Sequence, residues 1–216
     1  NRAAAPCTGE KAFPAAGLGI GHPGRLVHLK AFGKLSYDAE APATTVDTIY
    51  DLASLTKVIV TTTLAMQMVD ERRLDLDAPV QSFLPRFEGA NKEKVTVRHL
   101  LTHSSGLDWW APLHEELQGK PAFVERIQAM PLAYEPGTQS KYSDLGLILL
   151  GEILERVSGS DLRTLAHEWL VEPLGLERTS YTPLSELFSN LAPTEIEPKS
   201  GKPLHGEVHD ENARAM

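Results

Sequence analysis

The sequence predicts an α+β chain, and three features predict it. Near the N-terminus two short alternating runs flank His22-Pro23-Gly24, a hairpin pattern. From Ser54 to about Val171 apolar residues recur at helical spacing, punctuated by Gly and Pro. After Ser180 that periodicity fades into a tail rich in Pro, Gly and charge. Strands followed by a run of helices describe a sheet with its helices segregated beside it.

The elements follow in order. The first 15 or so residues are small, polar and Pro-bearing, a loose lead-in. Gly17 to Gly21 and Arg25 to Phe32 read as two strands, the second alternating Leu26, His28 and Lys30 with Val27, Leu29 and Ala31. Thr48-Ile49-Tyr50 suits a third short strand. Ser54 to Arg72 reads as a long helix, with Val58, Leu64, Ala65, Met68 and Val69 near a 3.6-residue period and Asp51 as its cap. Leu74 to Pro79 connects onward. Thr96 caps a short helix through Thr102, stopped by Ser104-Ser105-Gly106. Pro121 opens a helix to Met130. Asp144 to Val157 is apolar and periodic with Gly159 as its stop, and Ser160 caps a further helix to about Val171.

Composition narrows the class of function. A chain of 216 residues suits one domain or two small lobes. It buries roughly 70% of the surface its unfolded form exposes, so it needs no disulfide or metal to fold. Cys7, the single cysteine, cannot form an internal bridge. The richest apolar stretch, Leu145 to Leu150, falls far short of the ~18 residues of a membrane span, so no transmembrane segment is expected. Lys+Arg number 21 against 29 Asp+Glu, a net charge of -8 without basic runs. That balance argues against nucleic acid and leaves small neutral or cationic substrates open.

Three patterns mimic sites. Gly19-Ile20-Gly21-His22-Pro23-Gly24 matches G-x-G-x-x-G, but Pro23 lies inside it and a strand follows, so it is a hairpin turn and not a dinucleotide loop. His99 with His103, and His205 with His209, have i, i+4 spacing that could present two imidazoles to zinc. Neither pair stands in an H-E-x-x-H context, no metal or other cofactor is expected, and His103 is expected to bond backbone within the Thr102–Gly106 turn. Trp109-Trp110 suits either packing between lobes or a wall of a substrate cleft.

The chemistry centres on Ser54-Leu55-Thr56-Lys57, the one S-x-x-K in the chain. At a helix start, residues i and i+3 share a face, so Ser54 Oγ and Lys57 Nζ can approach one another. The helix N-terminus favours negative charge developing near Ser54. A serine hydroxyl needs a base, and lysine serves only when neutral. Lowering its pKa from ~10.4 to near 7 takes about 4 to 5 kcal/mol, which burial can supply. Tyr142-Ser143-Asp144 stands at a second helix start. Tyr142 can share a proton with Lys57 if the two starts converge, and Asp144 can bond Lys57 or a substrate amide. The structural alternative makes Ser143 or Asp144 a cap and Tyr142 a core ring.

Asp51-Leu52-Ala53-Ser54-Leu55-Thr56-Lys57 resembles the nucleophile motif of the serine β-lactamase and penicillin-binding-protein superfamily. Leu100-Leu101-Thr102-His103-Ser104-Ser105-Gly106-Leu107 resembles a second segment of its class C-like branch, and Tyr142-Ser143-Asp144 stands in the place of that branch's Tyr-x-Asn. Lys30 to Gly33 and Gly206 to Ala213 are also similar to family text. The resemblance implies an antiparallel sheet flanked by helices beside a mostly helical lobe, with the active site between them. Residues 1–80 would hold the hairpin and nucleophile helix, 81–195 the helical lobe, and 196–216 the return towards further strands. It implies Ser54 as acylated nucleophile, Lys57 as base alone or with Tyr142, and Tyr142 as proton relay. The Ser54 backbone N–H would form half of an oxyanion hole. Asp144, Trp109 and Trp110 would face a small-molecule or peptide substrate, in a periplasmic or secreted setting.

Two departures shape the expectation. Asp144 stands where the family has Asn; a carboxylate there would hold Lys57 protonated or bind a different substrate group, so an esterase or D,D-peptidase-like role is favoured over a dedicated β-lactamase. The Lys-Thr-Gly or His-x-Gly strand motif is absent, so a further C-terminal segment or a second chain is expected to complete the sheet and the site. A non-catalytic binding module and a zinc hydrolase built on the histidine pairs are the alternatives.

Overall fold

The computed structural model describes residues 12–182, 185–197 and 200–216. The expected lead-in as far as residue 11, Cys7 included, lies outside them. Grouped by contacts, the chain forms two units. The first comprises the described parts of Asn1–Leu52 and Tyr181–His209, the second Ala53–Ser180 and Asp210–Met216. By contacts the boundary lies at 52/53, and the helical stretch from Lys57 to Asp70 groups with the other helices.

In the first unit, β1 (Ala15–His22) pairs antiparallel with β2 (Arg25–Gly33), with Ala15 opposite Gly33 and a bulge between Ile20 and Gly21. Gly24 takes a positive φ of 74°, which lets the two-residue turn close. Among the described residues this is the one named sheet, so the expected third strand is absent: Thr48–Tyr50 contributes a single parallel bridge, Ile49 to Leu191. The alternation in β2 does not sort a buried face from a wet one, since Leu26, Val27 and Leu29 are all exposed. Asp51 Oδ2 accepts the His209 N–H at 3.3 Å, and Thr56 is the N-cap residue of the stretch that starts at Lys57.

The second unit holds the core. α1 (Thr63–Asp70) continues from a π-helical stretch, Lys57–Thr62. α2 (Val97–Leu101), α3 (Lys120–Ala129), α4 (Asp144–Ser158), α5 (Leu162–Ala166) and α6 (Glu211–Ala215) follow. α5 is capped by Asp161, one residue beyond the expected Ser160, through the Thr164 N–H. α4 supplies Leu145, Leu149, Leu150, Ile153 and Leu154, which pack with Leu64, Met68, Leu100, Phe123 and Ile127, all fully buried. Burying each such side chain is worth about 1.5–3 kcal/mol. That packing fixes the start of α4 and the segment leading into α1, and these carry the polar groups described next.

Lys92 is buried among these elements. Its Nζ donates to the Gln128 carbonyl (2.6 Å) near the end of α3 and lies over the Phe87 ring. A cation at a helix C-terminus answers otherwise unpaired carbonyls.

Candidate active site

Two helix starts converge in the second unit. Ala53, at φ 43°, turns the chain into Ser54, and the first turn closes through Thr56 N–H to Ala53 O and Lys57 N–H to Ser54 O. Left-handed backbone is strained for alanine and clusters at functional sites. The turn puts Lys57 Nζ 3.0 Å from Ser54 Oγ. The π-helical winding that follows is of the kind found at such places.

The second start is held by Ser143, whose Oγ accepts the Gly146 N–H (3.1 Å) and donates to Asp108 O (2.7 Å). Ser143 is therefore the cap, as the structural alternative had it, whereas Tyr142 beside it is not the core ring of that alternative. Tyr142 is half exposed, its ring centroid 5.2 Å from Lys57 Nζ. Asp144 Oδ1 lies 2.7 Å from Lys57 Nζ, with the two side chains 20% and 22% exposed. Oδ1 is otherwise unpartnered and the angles are not those of a hydrogen bond, so the contact is an ion pair set by distance.

The electrostatics favour one of the two states of Lys57 that the sequence leaves open. Burial lowers the Lys57 pKa, but Asp144 and the Tyr142 hydroxyl raise it by more, so it lies above lysine's usual range. The resting group is an ammonium that donates to Ser54 Oγ, not the neutral amine expected from the apolar flank.

Trp109 and Trp110 are fixed to the same region by main chain. Trp109 O accepts the Asp144 N–H at 2.9 Å, while its ring is exposed and lies 5.8 Å from that of Trp110. Trp110 packs on His114. Buried Asn212 braces this loop: Oδ1 accepts the His114 N–H (2.9 Å) and Nδ2 donates to Ala111 O (2.8 Å). Nothing in the sequence pattern singles out Asn212, because a buried polar residue on a one-turn helix leaves no periodic mark. A cavity of about 400 Å³ lined by Gly89, Asn91, Lys92 and Tyr134 lies elsewhere and includes none of these groups.

The rings of the histidine pairs face other partners. His99 Nδ1 faces the Thr96 N–H, His205 Nε2 faces Leu191 O, and His209 Nε2 pairs with Glu195. No group of three or more His, Cys, Asp or Glu placed to hold a metal ion occurs among the described residues. His103 Nδ1 bonds across to the Ser143 N–H, outside its own turn.

The family model described as Beta-lactamase matches residues 1–215. The chain belongs to the Beta-lactamase family. It is 32% identical, over 93% of its length, to the N-acetylmuramyl-L-alanine amidase of Bacillus subtilis (strain 168), and covers 53% of that protein. It is 31% identical, over 94% of its length, to a putative D-alanyl-D-alanine carboxypeptidase of Escherichia coli (strain K12), and covers 51% of it. A class C beta lactamase crystal structure superposes with a TM-score of 0.81 at 23% identity, over 97% of this chain and 57% of that one. This Beta-lactamase-family chain thus has the α+β fold of its neighbours with an incomplete sheet, and spans about half the length of its curated relatives.

Proposed function

We propose that the chain carries the nucleophile of a serine hydrolase that forms an acyl-enzyme at Ser54 on a small ester, a β-lactam or a D-amino-acid peptide. The observation that carries this reading is the 3.0 Å approach of Lys57 Nζ to Ser54 Oγ beside Tyr142. In the scheme, the Lys57 ammonium, 20% exposed, first yields a proton to solvent. The free amine then takes the Ser54 hydroxyl proton as Oγ bonds to the acyl carbon. The bond to the leaving group breaks, and Tyr142 passes the proton to it. Water later attacks the ester so formed; the acyl–Oγ bond breaks, and Tyr142 passes the water proton to Ser54 Oγ. Asp144 stabilises the resting ammonium, so this reactive form is a minor one at neutral pH.

The esterase or D,D-peptidase reading is favoured over a dedicated β-lactamase because Asp144 places a carboxylate where relatives of this branch carry an amide. Strands beyond the described hairpin, from further sequence or a second chain, would supply the remaining oxyanion donor and pocket wall. The exposed faces of β2 support this. The cell-wall bonds named in the relatives' descriptions favour a periplasmic or secreted setting.

A serine-directed fluorophosphonate probe tests the reading in the full-length protein. Labelling abolished by Ser54→Ala supports it. An unlabelled wild-type protein points instead to a binding module on the same fold, and activity lost to a chelator points to metal chemistry.

A further inference from the structure

The segment carrying Tyr142 is held by a residue the scheme above does not use. His103 accepts the Lys141 N–H at its carbonyl (2.8 Å) and the Ser143 N–H at Nδ1 (3.0 Å). Between those two bonds its ring lies on Tyr142, with centroids 4.8 Å apart and planes tilted by 34°. Three consecutive residues, 141 to 143, therefore rest on one side chain and its carbonyl. His103 is itself fixed. It occupies left-handed backbone at φ 54°, the Tyr134 hydroxyl donates to its carbonyl (3.2 Å), and its own N–H closes on Leu100 O.

We propose that His103 is a positioning residue for Tyr142: its neutral ring, accepting the Ser143 N–H at Nδ1, keeps the phenol beside Lys57, and protonation of that ring releases the segment. The inference rests on the reading of Ser54 as the nucleophile.

A main-chain donor at Nδ1 requires the neutral tautomer with its proton on Nε2. Protonation sets N–H against N–H, so the bond becomes a repulsion and the 142–143 peptide must turn away. The ring's surroundings favour neutrality. Burial and the Lys57 charge push its pKa below histidine's usual value, with Asp144 opposing. The other ionisable groups facing it are the Tyr142 phenol at the ring, and Tyr134 and Lys141 at the carbonyl side. Release is thus confined to acid. A displacement of about 1 Å in a positioned proton relay can cost on the order of a hundredfold in rate.

The experiment uses the full-length protein. Fluorophosphonate labelling rates at Ser54, and kcat and KM on an activated acetate ester, are followed across the pH range. His103→Asn keeps an oxygen acceptor and tolerates positive φ but cannot titrate. It should stay within about threefold of wild-type kcat at neutral pH and lose the part of the acid limb that the imidazole causes. His103→Phe keeps a ring against Tyr142 but no acceptor. It should lose about tenfold or more in kcat at every pH, with KM within about threefold. Wild-type kcat in His103→Phe, or an unaltered acid limb in His103→Asn, overturns the proposal.

A second readout is independent of catalysis and of how His103→Phe folds. In Ser54→Ala the Ser143 amide resonance should titrate together with the His103 ring. An amide that stays fixed while the ring titrates overturns the proposal even if Ser54 is labelled. Failure of Ser54 to label, with the amide following the ring, removes the hydrolase reading and leaves the clamp standing.

Discussion

Asp144 Oδ1 lies 2.7 Å from Lys57 Nζ, closer than Ser54 Oγ at 3.0 Å. The carboxylate therefore competes with the Ser54 hydroxyl for the same ammonium. In this arrangement the ammonium donates to Ser54 Oγ and is ion-paired with Asp144, whereas the proposed reaction needs the opposite polarity at Ser54. The charge of residue 144 sets how often that polarity occurs.

The first prediction concerns that charge. Asp144→Asn removes the largest influence raising the Lys57 pKa and leaves burial, which lowers it. The alkaline rise in Ser54 labelling rate should shift to lower pH, and labelling at neutral pH should speed up by about tenfold or more, since each pKa unit is tenfold in free amine. A variant that labels more slowly at neutral pH, with an unmoved alkaline rise, would show that Asp144 serves the reaction in another way.

The same pair has a signature in stability. The folded pKa of Lys57 is raised above the usual 10.5, so the native state binds more protons in that range. The pair's contribution is fully present below 10.5 and lost as pH rises through the higher folded value. Urea midpoints should fall on the alkaline side of 10.5 in the wild-type protein, and fall less steeply in Asp144→Asn. Equal slopes for the two proteins would contradict the assignment.

Much of this was legible from the sequence, for physical reasons that differ by residue. α3 and α4 lie within a residue or two of their expected limits, because Pro121, Ser143 and Gly159 mark their ends and apolar periodicity marks their faces. The i, i+3 geometry of Ser54 and Lys57 is local and could be read from spacing alone. The protonation state of Lys57 stays open in the sequence, between a neutral amine and one held charged by Asp144. It depends on Asp144, a residue remote in sequence, and the apolar flank Val58 and Ile59 that suggested a dry, neutral amine is exposed. Thr48–Tyr50 has strand-like residues but only one bridge, since β propensity expresses itself only where a partner strand exists. The clamp from His103 to Ser143 was invisible because left-handed backbone at a histidine has no composition signal.

Gly106 makes the turn beneath this clamp testable. Its φ is 91°, and a Cβ there would meet the Tyr134 carbonyl oxygen at 2.4 Å. That oxygen cannot swing aside as a flexible side-chain end would, because it belongs to backbone, and Ala133 N–H donates to Gly106 O close by. Gly106→Ala should cost more than about 2 kcal/mol, from strain and overpacking together. Thermal or urea unfolding measures it. A loss below about 0.5 kcal/mol, the range of an ordinary surface change, would contradict this.

Trp109 and Trp110 should separate into two roles despite being neighbours. The Trp109 ring is 62% exposed, whereas its carbonyl receives the Asp144 N–H. Trp109→Ala therefore removes aromatic surface but keeps the main-chain bond that seats Asp144. KM for an aromatic ester should rise about threefold to tenfold, the value of one ring contact, with kcat nearly unchanged. Trp110 is more enclosed, packing against His114 in the loop that Asn212 braces. Trp110→Ala should lower stability by about 2 kcal/mol, less than a fully buried Trp→Ala. Because that loop also carries the Asp108 and Trp109 carbonyls that hold Ser143 and Asp144, its loosening should reach kcat before KM. If Trp109→Ala instead lowers kcat and leaves KM alone, its ring does not face the substrate, and the cleft wall lies elsewhere.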